Sequence, residues 1–157
     1  MGWQSAEDIK NIYDLHSQHS QFFTEIIKHA NAPSLQKGST WLIKRHLERI
    51  NDVEDEISQT ILELIPSLKE WESRLHVLQS LQYLKIPSKR KRTVELFAKS
   101  SIEDNNKFVR AWGYSGFYEL ARQYSTYQDE ATSFMEMAMR DEPASVKARI
   151  RQVMSKG

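Results

Sequence analysis

Apolar residues recur at spacings of three and four along nearly the whole chain, which is the pattern of amphipathic helices. Strands would need apolar and polar residues to alternate, and the sequence offers no such stretch. The chain has only 4 prolines and 5 glycines, so few positions interrupt these helices. The pattern predicts an all-α fold, with helices near residues 5–16, 19–30, 37–50, 54–65, 69–84, 88–101, 105–123, 127–140 and 143–155.

The connections between the predicted helices are short, mostly about two to four residues, so neighbouring helices must run antiparallel. Helix starts are indicated at Pro87, Asp104 and Pro143. Second helices of the resulting hairpins begin near residues 37, 69, 105 and 143, which is a period of about 32 to 38 residues. Repeats of this length bury the apolar face of each hairpin on the next one.

Two segments near the carboxyl end repeat one pattern. In DNNKFVR, Asp104 precedes a valine and Arg110, and in DEPASVK, Asp141 precedes a valine and Lys147 at the same spacing. This pattern resembles the HEAT-like repeat of the armadillo superfamily, over residues 104–155 best and over 37–84 more weakly. The resemblance implies that these four residues form a ladder of polar contacts between repeats.

The resemblance also implies a fold and a domain organisation. We expect a short right-handed α-solenoid of about four antiparallel helical hairpins, with an N-terminal capping helix. We expect residues 1–157 to form a single domain. The final helix places basic residues outward in the manner of a polar cap: Lys147, Arg149, Arg151 and Lys156.

The helix predicted over 105–123 contains two glycines on its apolar side. That side carries Val109, Trp112, Gly113, Gly116, Phe117, Leu120 and Tyr124. A glycine inside a helix costs about 1 kcal/mol relative to alanine, so the pair indicates a neighbouring helix that approaches too closely for a Cβ.

The flank of the same helix presents Arg110, Tyr114 and Tyr118 at spacings of four. One interpretation is packing between repeats, with Arg110 paired to Asp104 or Asp141. The other is a surface stripe that contacts a ligand, since tyrosine and arginine dominate interface hot spots.

A second candidate surface comes from two similar segments, WLIKRH and WESRLH. They supply the trios Trp41, Lys44, His46 and Trp71, Arg74, His76, which we expect at similar heights on adjacent hairpins. Tryptophan faces beside cations suit an acidic or phosphate-bearing ligand. Alternatively, the tryptophans fill space between helices, the histidines lie at core edges, and Arg74 forms a structural ion pair.

Two further motifs have weaker functional implications. The run Lys89, Arg90, Lys91 and Arg92 is expected in the first turn of a helix, either as a solvated segment or as an anion or nucleic-acid contact. His16 and His19 are spaced as a metal pair, but without a third strong ligand we expect solvated histidines and no metal site. Neither a phosphate-binding loop nor a nucleophile elbow occurs, so we predict no catalytic residue and no cofactor.

Composition narrows the function classes. The chain has 22 Lys and Arg against 21 Asp and Glu, so affinity for nucleic acid would have to come from local patches. With 0 cysteines and no apolar run of membrane-spanning length, we expect a cytoplasmic protein without a membrane partner. We expect a non-enzymatic module that binds a protein or peptide on the concave solenoid surface. The alternative is a nucleic-acid-binding protein that resembles the HEAT-like glycosylases of alkylated DNA bases.

Overall fold

The computed structural model describes residues 22–50 and 53–156, and over these residues the chain is helical without any strand. It forms α1 (Phe22–His29), α2 (Gln36–Leu47), α3 (Asp55–Leu62), α4 (Trp71–Ser80), α5 (Lys91–Ile102), α6 (Lys107–Gln123), α7 (Gln128–Asp141) and α8 (Ala144–Ser155). Short 3₁₀ turns precede or follow several helices, at Pro33–Leu35, Ile65–Ser67, Leu81–Tyr83, Ser88–Arg90 and Ser125–Tyr127. The all-α prediction is confirmed.

The predicted helix positions agree with the structure to within a few residues. The helix expected over 69–84 is α4, which gives way to the 3₁₀ turn Leu81–Tyr83. The helix expected from 88 begins as the 3₁₀ turn Ser88–Arg90 and becomes α-helical at Lys91. The predicted helix over 5–16, the N-terminal cap and the pair His16 and His19 lie outside the described residues.

The start of α6 differs from the prediction by two residues. Asn106 is its N-cap, and the Asn106 side chain accepts hydrogen bonds from the backbone N–H groups of Phe108 and Val109. Asp104 lies two residues earlier, and its side chain accepts a hydrogen bond from the backbone N–H of Asn106 at 2.8 Å. Asparagine is a strong N-cap, because its side chain satisfies backbone donors that have no partner inside the helix.

The chain divides into two compact units, Met1–Leu84 (unit 1) and Lys85–Gly157 (unit 2). Each unit contains four of the described helices, α1 to α4 in unit 1 and α5 to α8 in unit 2. The single domain over 1–157 stays a prediction.

In unit 1, α2 packs against α1 and against α4. Fully buried side chains fill the space between the helices: Leu42, Ile43, Leu47, Ile61, Leu62 and Leu78. The Lys37 ammonium is 3.0 Å from the Glu72 carboxylate, and the Thr40 hydroxyl is 3.0 Å from Nδ1 of His76. Residue numbers rise together in these two contacts, so α2 and α4 run in the same direction with an offset of about 35 residues.

In unit 2, α6 is the central helix and contacts α5, α7 and α8. It runs antiparallel to α5, since Gly113 lies against Ile102 and the Lys91 ammonium lies over the Tyr124 ring. A Cβ at Gly113 would lie 2.9 Å from the Ile102 backbone nitrogen and 2.9 Å from Cβ of Ser101. The close helix approach predicted from the glycines is therefore confirmed at Gly113.

The contacts between α6 and α8 follow the same order as those in unit 1. Arg110 and Tyr114 reach Glu142, just before α8, while Trp112 and Ser115 meet Arg149 inside α8. These contacts place α6 and α8 in the same direction. Both units are compatible with a helical repeat.

Candidate functional site

A concave site lies in unit 2, along α7. The sequence of α7, QDEATSFMEMAMRD, places Met135 and Met139 one turn apart on the same side of the helix. Together with Tyr118 and Ala121 of α6 and Met154 of α8, they line a groove of about 940 Å³. This volume is at the upper end of the range for ligand sites, and the lining is mainly apolar.

The rim of this methionine groove carries three charged side chains. Arg122 comes from the last turn of α6, and Glu136 and Arg140 come from α7. The Arg122 guanidinium is 2.8 Å from Glu119, and the Arg140 guanidinium is 3.3 Å from Asp141. Both arginine side chains are largely exposed, at 54% and 70%. Exposed ion pairs of this kind contribute about 0–1 kcal/mol, so other carboxylates can readily replace Glu119 and Asp141.

Aromatic packing behind the groove fixes α7 against α6. Phe117 is fully buried, and its ring makes edge-to-face contacts with Phe134 at 5.0 Å and with Tyr127 at 5.9 Å. Such pairs contribute about 0.5–1.5 kcal/mol beyond the buried area. The groove wall is therefore held by packed rings rather than by a loop.

A buried carboxylate ties α5 to the start of α7. Glu95 accepts hydrogen bonds from Lys99 at 2.8 Å and from the Tyr127 hydroxyl at 3.1 Å, and Lys99 also pairs with Glu130 at 2.7 Å. The hydrogen bond from Lys99 holds the pKa of Glu95 below its usual value. The pairing with Glu130 and Glu95 raises the pKa of Lys99. This cluster is a structural support for α7, and the sequence patterns did not indicate it.

The predicted stripe of Arg110, Tyr114 and Tyr118 divides into two parts. Tyr114 is only 2% exposed, which agrees with the packing interpretation of the stripe at this residue and not with the surface interpretation. Its hydroxyl donates a hydrogen bond of 3.1 Å to Glu142, and burial together with the Glu142 charge raises its pKa. Tyr118 is half-buried and lines the methionine groove.

Arg110 belongs to the structural part of this stripe. Its guanidinium pairs with Glu142 at 3.0 Å, and it donates to the backbone carbonyls of Asp104 and Asn105 at 3.0 Å each. The carboxylate partner is thus the residue after the predicted Asp141, whose own side chain is largely exposed beside Arg140. Glu142 takes this role because α7 ends at Asp141, and the extended backbone at Glu142 begins the turn into α8.

Arg149 also departs from the prediction that α8 points its basic residues outward. Its guanidinium lies 3.7 Å from the centre of the Trp112 ring and donates a hydrogen bond of 2.9 Å to the Ser115 hydroxyl. Trp112 was expected in the core, but it is only half-buried, and Arg149 covers the face of its ring. An arginine stacked on tryptophan contributes roughly 0.5–2 kcal/mol, depending on how far it is desolvated.

In unit 1 the two tryptophan trios do not lie at similar heights. Sequence similarity pairs Trp41 with Trp71, an offset of 30, whereas the contacts of Lys37 with Glu72 and of Thr40 with His76 give an offset of about 35. At 1.5 Å per residue, the difference displaces the trios by about 8 Å along the helix. The two trios therefore do not lie side by side as expected, because the register of α2 against α4 differs from the offset between the similar segments.

The individual members of these trios have different surroundings. Trp71 is 44% exposed, whereas Trp41 is half-buried. Lys44 pairs with Glu48 at 3.0 Å, and Arg74 is half-buried on α4. Trp71 is the member most accessible to a partner.

Both histidines are half-buried, and His76 of α4 contacts Thr40 of α2. Burial lowers the pKa of His46. Burial, helped by the charge of Lys44, lowers the pKa of His76 to about 4. The histidines therefore occupy core-edge positions, as one of the two interpretations anticipated.

The basic run does not form one open patch. Lys89 and Arg92 are exposed, and Arg92 pairs with Glu95 at 3.2 Å. Arg90 and Lys91 are half-buried, and the Lys91 ammonium lies 5.1 Å from the centre of the Tyr124 ring. The contacts of Arg92 with Glu95 and of Lys91 with Tyr124 therefore help to hold the start of α5 in place.

The described residues contain neither a cluster of metal ligands nor a helix that could span a membrane. Within residues 22–50 and 53–156, no three His, Asp or Glu side chains come together as metal ligands. Over the same part of the chain, the helices fall short of the length and apolarity that a membrane span requires.

No family model matches this chain, and no curated protein or solved structure matches it either. The sequence contains no distinctive signal for the methionine groove. Met135 and Met139 have the spacing of a core face, and Met137, which lies on another side of α7, does not line the groove.

Proposed function

We propose that this protein is a non-enzymatic interaction module built from HEAT-like helical repeats, which binds a segment of a partner protein in the methionine groove of unit 2. The observation that carries the proposal is the groove itself. It is concave, mainly apolar, about 940 Å³ in volume and rimmed by exposed arginines. Methionine side chains adapt to differently shaped apolar partners, and for that reason they are frequent at peptide-binding surfaces.

The repeat architecture has support from the helix directions. In each unit, the second and fourth helices run in the same direction and are linked by polar contacts. Contacts of this order are expected where hairpins stack in a solenoid. The resemblance of residues 104–155 to HEAT-like repeats agrees with this arrangement.

A binding role also agrees with the surroundings of the perturbed titratable groups. The pKa values of Glu95, His76 and Tyr114 are shifted, and each group is engaged in contacts between helices. None of the three lines the methionine groove. Catalytic sites usually gather such groups in the cleft that holds the substrate, so their distribution favours binding over catalysis.

The nucleic-acid alternative has less support. Of the basic candidate binding residues, Lys44 pairs with Glu48 and Arg110 pairs with Glu142. A titration with duplex DNA at low and moderate salt measures this alternative directly, because phosphate contacts give a steep salt dependence.

The proposed function is tested by selecting random 16-residue peptides on the wild-type chain by phage display. The selected peptides are then measured against Met154→Glu, which puts a charge into the groove at a side chain that is 46% exposed. Leu96→Glu is the matched control, since Leu96 is 51% exposed and does not line the groove. We expect Met154→Glu to weaken binding at least about tenfold and Leu96→Glu to leave it unchanged. Failure to select peptides, or equal binding by both variants, would contradict the proposal.

A further inference from the structure

The shape of the methionine groove limits the conformation of its occupant. The groove-lining residues of α7 extend from Gln128 to Arg140, which at 1.5 Å per residue is a length of about 18 Å. A helix of about 12 residues, or three turns, has the same length. An elongated groove of this kind suits a peptide segment better than a compact small molecule.

The lining distinguishes among the known ways of binding a peptide. Addition of a strand needs an exposed sheet edge, and the described residues contain no strand. Proline-rich segments dock on aromatic-lined grooves, whereas Tyr118 is the single aromatic residue of this groove. A methionine-lined groove between helices is the type of surface that receives the apolar face of an amphipathic helix.

The two basic residues of the rim lie at the two ends of the groove, and Glu136 lies between them on α7. Arg122 is in the last turn of α6, and the short connection Tyr124–Tyr127 brings it to the Gln128 end of α7. Arg140 lies at the other end, in the last turn of α7. Because both arginine side chains are largely exposed, at 54% and 70%, they are accessible to carboxylates of an incoming segment.

We propose that the partner segment is an amphipathic helix of about three turns, with apolar anchors along one face and an acidic residue at each end. This inference rests on the proposed function and specifies the partner. The apolar face fills the groove between Tyr118 and the methionines, and the acidic ends pair with Arg122 and Arg140. Charges at both ends fix the position of the helix along the groove, which the flexible methionines alone do not.

Three fluorescein-labelled 16-residue peptides test the inference with the full chain. The first has four leucines at helical spacing and glutamate at both ends; the second has lysine at both ends; the third is the first with a central proline. We expect the acidic-ended peptide to bind, and the other two to bind at least about tenfold more weakly by fluorescence anisotropy. Equal binding of the acidic-ended and lysine-ended peptides, or tight binding of the proline peptide, would overturn the inference.

Charge reversal in the protein provides the matched test. The double variant Arg122→Glu/Arg140→Glu should prefer the lysine-ended peptide. The control Lys89→Glu/Lys107→Glu changes the net charge equally at exposed positions outside the groove, and it should keep the preference for the acidic-ended peptide. If both double variants behave alike, general electrostatics explains the preference and the inference is wrong.

Failure of this inference can be distinguished from failure of the proposed function. If none of the three peptides binds while the phage selection yields groove-dependent peptides, the helical partner is wrong and the groove function stands. If the selection yields no groove-dependent peptide, the groove function itself fails. Self-association that Met154→Glu abolishes, measured by sedimentation, would identify a second copy as the occupant and would also overturn the inference.

Discussion

Unit 1 and unit 2 join their parallel helices through different kinds of polar side chain. In unit 1, one ion pair, Lys37 with Glu72, is accompanied by neutral contacts: the buried side chain of Gln36 bonds to the backbone of Ala30, Ser67 and Lys69, and neutral His76 meets Thr40. In unit 2, the contacts of α6 with α8 and the residue before it involve arginines, with Arg110 bound to Glu142 and Arg149 laid over Trp112. Two pairs of parallel helices are therefore joined by different chemistry, and each of these polar groups has a partner.

Unit 2 contains a tight helix crossing at Gly113, where backbone atoms of Ile102 and Ser101 leave no room for a side chain. Backbone cannot move aside as a flexible side chain does.

Gly113→Val should destabilise the protein most, by about 3 kcal/mol, because two methyl groups and a Cβ must fit against the Ile102 backbone. Chemical denaturation followed by circular dichroism measures the loss. Ala111→Gly on the same helix gives the ordinary cost of changing helix propensity, about 1 kcal/mol. A Gly113→Val variant as stable as the wild type would show that α5 and α6 are not in close contact.

Glu142→Ala should cost roughly 2–3 kcal/mol, because it leaves the buried Tyr114 hydroxyl and the Arg110 guanidinium without their shared acceptor. Asp141→Ala, one residue earlier, should change the free energy of unfolding by less than about 0.5 kcal/mol, since Asp141 is exposed. Urea denaturation of both variants makes the comparison. A larger loss for Asp141→Ala than for Glu142→Ala would contradict this assignment and support the polar ladder that the HEAT-like resemblance implied.

Asp141 and Glu142 illustrate which features of the structure could be predicted from the sequence and which could not. Periodicity located the helices, and the mid-helix glycines predicted the close approach that Gly113 makes. The partner of Arg110 was missed by one residue, because it depends on the residue at which α7 ends and on the direction of the next backbone step. No local pattern encodes that geometry.

The sequence also failed to predict two further features, the register of α2 against α4 and the methionine groove. Sequence similarity aligned Trp41 with Trp71, yet the packing of side chains such as Thr40 and His76 fixes a different offset. Met135 and Met139 have the spacing of a core face, so periodicity alone does not distinguish a groove from a core.

The pH dependence of stability should differ between the two units. His76 in unit 1 has a pKa of about 4, below the value of 6.5 for an exposed histidine, so the folded state favours its neutral form. Its contribution is complete above pH 6.5 and is lost as the pH falls from 6.5 towards 4. We expect a loss of about 2 kcal/mol over this window, allowing for the partial exposure of the ring. The wild type should show this loss in urea denaturation, and His76→Gln should show less of it.

Glu95 of unit 2 loses its contribution in the same direction of pH but in a lower pH window, and here the folded state favours the charged form. The hydrogen bond from Lys99 lowers its pKa, so its contribution is present above its usual value of 4.5 and is lost as the pH falls below that value. Amide NMR signals of each unit, followed between pH 7 and about pH 3, should therefore broaden or shift first near His76 and later near Glu95. Simultaneous changes at both residues would contradict this difference in pH windows.

Arg149→Ala should have the smallest effect, about 1 kcal/mol, since it removes the stack on Trp112 and one hydrogen bond at a partly exposed position. Arg149→Lys should recover only part of the loss, because lysine lacks the planar group that lies on the ring. Thermal denaturation measures both variants. Full recovery by lysine would show that charge alone matters at this position.

The most direct measurement of the proposed binding site uses methionine methyl groups. The chain contains 5 methionines, of which Met135, Met139 and Met154 line the groove while Met137 of α7 does not. With ¹³C-methyl-labelled methionine, the methyl signals are followed during titration with the acidic-ended peptide or with a peptide from the phage selection. We predict shifts of Met135, Met139 and Met154 with a common dissociation constant and little change at Met137. Binding that leaves the three groove signals in place, or that shifts Met137 most, would contradict the assignment of the methionine groove as the binding site.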